Sequence, residues 1–142
     1  IFDVYQNSLL FTYNINKSRW DLVGRYFLGL VNGKFFQKNI DNEISIKYEL
    51  IIGYFTHYLI GGIFGLIYVS INVFLFNYAS IFLALIIGFT AVFGSWCIMM
   101  PFAFNLGFFA FKNEEWRQIL VQNLIAHFIF GIGLYLGYII LK

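Results

Sequence analysis

Two histidines, His57 and His127, lie inside long apolar stretches, and Asp3 lies in a third near the start of the chain. Ionisable groups are costly within a membrane and mark functional sites by default. The sequences around the histidines match. His57-Tyr58-Leu59-Ile60-Gly61 parallels His127-Phe128-Ile129-Phe130-Gly131: histidine, an aromatic, two apolar residues, then glycine at i+4. Gly53, His57, Gly61 and Gly65 make one helical stripe, and Asn123, His127 and Gly131 make another. Small-residue stripes let membrane helices approach closely, and the match suggests a weak parallel repeat of two helical hairpins. Two facing histidines could ligate haem or a metal, relay protons, or hydrogen-bond neighbouring helices and hold a bundle together. No HExxH or similar ligand spacing occurs, so the sequence implies no cofactor and leaves the identity of any metal unknown.

The remaining chemistry is sparse. Pro101, the single proline, follows Met99 and Met100. It removes a helix donor and kinks or ends the helix there. With Asn105 and Gly107 beyond it, the segment is a candidate hinge or a helix terminus. The methionines read as packing. Gly61, Gly65, Gly133 and Gly137 fit GxxxG contact faces, through which a homo-oligomer is expected. The lone Cys97 precludes an intrachain disulfide and reads as a small buried apolar residue. No nucleophile–base pair, phosphate-binding glycine loop or carboxylate dyad stands out, so an enzyme is not the leading expectation. Catalysis would be confined to a charged mouth holding Asp21, Arg25 and Glu49.

The elements that must position these residues follow from composition. Of 142 residues, 61% are hydrophobic and 11% charged, against about 25% charged in a soluble domain. A water-soluble fold this small could not hide so much apolar surface, so the lipid bilayer is the expected partner. The 19 Phe and 10 Tyr residues suit lipid contact and interfacial belts. A net charge of +2 without a basic stripe gives no footprint for nucleic acid.

Three runs, 50–74, 78–104 and 119–141, are long enough to cross a bilayer, which takes about 20 residues. Period-2 alternation is absent, so a β-barrel is not expected. Residues 1–15 read as the end of a truncated first helix, since they lack a basic n-region and a small-residue cleavage site. The expected fold is therefore an all-α polytopic membrane helix bundle forming one domain over 1–142. It has three full transmembrane helices, the end of a first one, and an interfacial amphipathic helix over 18–36. In that helix Trp20, Val23, Phe27, Leu30 and Val31 form an apolar face. Asp21 and Arg25 sit four apart as a favourable pair, and Ser18 with Asp21 resembles a capping box. The helix is expected to lie on the membrane surface; the alternative is a helix packed under the bundle.

Basic residues set the orientation. Residues 17–47 carry six Lys or Arg, 112–117 carry two, and the turn near Asn77 carries none. The loops 17–49 and 105–118 are thus expected to be cytoplasmic. At 1.5 Å per residue, His57 and His127 would lie roughly 10–12 Å from the cytoplasmic ends of parallel helices, and Asp3 roughly 16 Å deep on the antiparallel one. All three, with Asn123, could meet in the inner half of one bundle.

Several of these stretches together are familiar. Trp20-Asp21-Leu22-Val23-Gly24-Arg25-Tyr26-Phe27 and Gly33-Lys34-Phe35 resemble the segment after the first helix in domain-of-unknown-function family 2938. His57-Tyr58-Leu59-Ile60-Gly61 resembles that family's second-helix motif, and Met100-Pro101 with Leu106-Gly107-Phe108 its third-helix exit. His127-Phe128 and Phe130-Gly131-Ile132-Gly133-Leu134-Tyr135 resemble its last helix. Asp3 falls where the family has Met-Asp. The chain departs from the pattern at Phe102 and Asn105, where small residues are usual. The resemblance implies four helices and a bacterial inner-membrane location, and it implies no reaction. The functional expectation is a small proton-linked transporter-like unit or a membrane-stress component. The alternatives are a haem- or metal-binding subunit using both histidines, or a membrane enzyme acting at the cytoplasmic face.

Overall fold

A computed structural model describes residues 19–37 and 40–141. Asp3, Ser18 and the expected end of a first helix lie outside them. Among the described residues the protein is all-helical, with three spans long and apolar enough to cross a membrane: Glu49–Phe76, Ile81–Ala103 and Trp116–Leu141. A shorter helix, α1 (Trp20–Val31), precedes them. The α-helical parts of the spans are α2 (Glu49–Ile71), α3 (Ile81–Gly94) and α4 (Trp116–Leu141). Two stretches widen into π-helix, Asn72–Phe76 after α2 and Ser95–Ala103 after α3.

The turn between α2 and α3 is fixed by polar groups inside an otherwise apolar run. Asn72 is fully buried. Its Nδ2 donates to the Tyr68 carbonyl at 2.7 Å, and its Oδ1 accepts from the Ser80 amide at 2.9 Å. The Tyr68 hydroxyl donates to the Ser80 carbonyl, and the Ser80 hydroxyl caps α3 by accepting from the Leu83 amide. Backbone groups released at helix ends must find partners where water is absent. Asn72→Leu should therefore cost about 1–3 kcal/mol by orphaning the Ser80 amide. An SDS titration followed by circular dichroism measures this; a loss below about 0.5 kcal/mol, the range of neutral surface changes, would refute it.

Two close helix crossings organise the rest. Gly24 of α1 lies against the Glu49 carbonyl, and Gly53 of α2 against the Trp20 carbonyl, with no room for a Cβ at either. At the α3–α4 crossing a Cβ on Gly88 would lie 2.5 Å from the His127 carbonyl, and one on Gly131 2.9 Å from that of Ala84. The expected stripes supplied Gly53 and Gly131. Gly61 and Gly65 make only ordinary contact with Phe130 and Leu134 of α4, while Gly133 and Gly137 have no neighbour within 4 Å of a Cβ among the described residues. The α2 and α4 spans meet towards the turn end, where Tyr68, Ala84, Ile87 and Tyr138 form a core cluster. At the opposite end Leu22, Tyr26, Ile40 and Ala103 form the second.

That second cluster shows α1 packed across the ends of two spans. Its buried residues are Leu22, Gly24, Arg25, Tyr26 and Gly29. In the apolar stripe expected for a membrane-surface helix, Trp20, Val23, Phe27 and Leu30 are half-buried and Val31 is exposed. The reason is the solvent: where apolar side chains can rest in lipid, the polar residue turns to the protein. The helix starts after Arg19 without a side-chain cap, and Ser18, the first member of the expected capping box, lies outside the described residues.

Candidate functional site

His127 sits eleven positions into α4, about 16 Å from its start at 1.5 Å per residue. The helix begins three residues earlier than expected, which places the ring deeper. Its Nδ1 lies 2.8 Å from the Asn123 carbonyl, one turn back. A carbonyl only accepts, so Nδ1 carries the proton, and neutral His127 presents Nε2 as a lone-pair base. Asn123 is itself held. Its Nδ2 donates to the Ile119 carbonyl at 2.8 Å, and its Oδ1 accepts from the Ser95 hydroxyl at 2.9 Å. Ser95 was not singled out from the sequence, where a serine between Gly94 and Trp96 carries no pattern. It links α4 to the first residue of the long π segment.

His57 has different neighbours. It lies eight positions into α2, and its ring is 4.4 Å from the Trp20 ring and 5.4 Å from that of Tyr58. Trp20 also meets Tyr54 at 5.7 Å. Tyrosine and tryptophan bodies of this kind anchor helices at membrane interfaces. Among the described residues no hydrogen bond or ring contact joins His57 to His127, and no group of three or more His, Cys, Asp or Glu could hold a metal. Asp3, the third member of the expected polar site, lies outside the described residues.

Arg25 and Asp21 depart from the expected pairing. Arg25 is buried and bonds Glu49 bidentately, with Nε to Oε2 and Nη2 to Oε1 both at 2.8 Å. Its Nη1 donates to the carbonyls of Ile40 and Glu43. Glu49 Oε2 also accepts from the Ile46 amide. The carboxylate hydrogen bond raises the guanidinium above its ordinary range, so Arg25 stays charged. Asp21 instead takes Arg19, at 2.7 Å, and that hydrogen bond lowers its carboxyl below the usual value. The i,i+4 spacing allowed the Asp21–Arg25 pair, but a bidentate carboxylate plus two carbonyls offers Arg25 more than one half-exposed aspartate. Glu49, expected in a solvated loop, begins α2 and is buried. With the nitrogens of its guanidinium committed to the fold, Arg25 is not presented to a substrate.

The candidate hinge is more distorted than the sequence suggested. Pro101 lies within the nine-residue π-helix, and Gly107 adopts φ +74°. Asn105, Phe109 and Ala110 also take positive φ, at 53°, 55° and 56°.

No curated protein and no solved structure matches the chain. A family model described as a protein of unknown function, DUF2938, matches residues 1–141. With a match over nearly the whole sequence, and three helices of membrane-spanning length and apolarity beneath it, the chain belongs to the DUF2938 family.

Proposed function

We propose that this chain is a small proton-responsive, transporter-like unit of a bacterial inner membrane. The carrying observation is His127: a base inside an apolar span, its Nδ1–H fixed on the Asn123 carbonyl and its Nε2 left to accept a proton. A neutral imidazole held this way can take up one proton at Nε2 without giving up its Nδ1 hydrogen bond. The orientation in this reading puts α1 and both charged loops in the cytoplasm. Arg19, Arg25, Lys34 and Lys47 precede the first span and Lys112 and Arg117 the last, whereas residues 77–80 carry no basic group. Four helices enclose little volume, so the working unit is a homo-oligomer, with Gly133 and Gly137, open among the described residues, supplying a small-residue face.

The test is proton flux into vesicles of anionic phospholipid containing the full-length protein and a trapped pH dye. His127→Gln cannot take up a proton and should cut flux at least about tenfold, within the usual contribution of a proton-transferring group. Asn123→Ala, which frees the helix from Ser95, should reduce it less. Undiminished flux through well-folded His127→Gln removes the proposal. A haem band or bound metal in the purified protein, lost in both His57→Ala and His127→Ala, would replace it with a cofactor role.

A further inference from the structure

The inner part of the second span concentrates several costs. A π-helix spends more backbone distortion per hydrogen bond than an α-helix and usually appears as a single-turn bulge, yet Ser95–Ala103 is nine residues long. Directly after it, Asn105, Phe109 and Ala110 occupy the left-handed region without being glycine, a conformation that persists only where the surroundings over-determine it. Within it, the Trp96 indole Nε1 is buried with no hydrogen-bond partner, a desolvation loss that a relaxed structure avoids.

The surroundings that hold this arrangement can be named. At its start, the Ser95 hydroxyl donates to Asn123 of α4. At its end, the Phe104 amide reaches back to the Met99 carbonyl at 3.0 Å and the Leu106 amide to that of Met100 at 2.8 Å. The exit folds over the segment, with the Phe109 ring 5.5 Å from Trp96 and the Phe108 ring 6.3 Å from Phe102. Pro101 adds a bias. In an α-register its ring would clash with the Cys97 carbonyl, four residues back, and the wider π turn relieves that clash.

We propose that residues 95–103 form a register switch. The π state is held by the Ser95–Asn123 hydrogen bond and by Pro101, and the alternative is the α-register, reached when that bond opens. In the α state each backbone hydrogen bond spans four residues rather than five. That state carries the exit 104–110 out of its left-handed turns and moves Trp96 from under Phe109. The device goes beyond the proton role proposed for His127 and stands without it, since it rests on the backbone of the second span.

The protein supplies its own reporter. Cys97 is the one cysteine, half-buried within the segment. Its labelling rate with N-ethylmaleimide is measured in the full-length protein in lipid nanodiscs. Losing one hydrogen bond shifts such an equilibrium by about three- to tenfold. Ser95→Ala should change the Cys97 rate by that factor, Pro101→Ala should change it in the same direction, and the double variant should multiply the two effects, because both act on one equilibrium. Unchanged rates in both single variants overturn the proposal. So do effects that merely sum in the double variant, the mark of two separate local openings. Pro101→Ala removes no side-chain hydrogen bond, so it decides the matter alone if Ser95→Ala does not fold.

Discussion

Replacing Arg25 with alanine should destabilise the protein by about 3–5 kcal/mol, the usual result of leaving one member of a buried ion pair uncompensated. Arg25 and Glu49 expose only 5% and 11% of their side chains. Deleting the guanidinium leaves the Glu49 carboxylate buried with one amide donor, from Ile46. It also orphans the carbonyls of Ile40 and Glu43, which order the loop between α1 and α2. Glu49→Ala should cost a similar amount. The double change to Arg25→Met with Glu49→Leu should recover much of the loss, because an apolar pair of like volume needs no desolvation. SDS titrations of the four proteins, read by circular dichroism, give these differences. A loss below about 1 kcal/mol for Arg25→Ala would place the pair with exposed salt bridges and refute a buried staple.

The second large effect is expected at Gly53. An alanine there puts Cβ into the Trp20 carbonyl, and the mirror change at Gly24 puts it into the Glu49 carbonyl. Backbone cannot swing aside as a side-chain tip does, so the cost should reach about 3 kcal/mol or more, the upper end for overpacking. The displacement also separates Trp20 from His57 and stretches Arg25 from Glu49, which start from contacts of 4.4 Å and 2.8 Å. Gly137→Ala is the control. It meets nothing within 4 Å among the described residues and should change monomer stability by no more than about 0.5 kcal/mol. If Gly137→Ala leaves stability intact but abolishes a dimer seen by crosslinking in membranes, the homo-oligomer reading gains its interface. If Gly53→Ala is as mild as Gly137→Ala, the close crossing of α1 and α2 is refuted.

The predictions differ in how far the sequence alone could reach them. The three spans were legible because a bilayer demands about 20 apolar residues and the chain supplies three such runs. Their edges shifted by a few residues where local polar chemistry took over. Tyr48 at φ 69° precedes α2, and the Ser80 cap sets the start of α3. The π widening over Ser95–Ala103 was half legible. Pro101 announced a disturbance, but nothing in the one-dimensional pattern said that it would begin six residues upstream.

Residue types and spacing by themselves determined that this is an all-helical chain of membrane-spanning length. They also determined that its two histidines lie inside the spans, and that glycine would set helix approach at Gly53 and Gly131. Only the tertiary structure decided the partners. It gave Arg25 to Glu49 rather than Asp21, His127 to its own helix and Asn123 to Ser95, and it set His57 against Trp20. The physical reason is that helical spacing fixes which side chains share a face, whereas a polar group deprived of water goes to whichever partner satisfies it most completely. That choice depends on neighbours far apart in the chain.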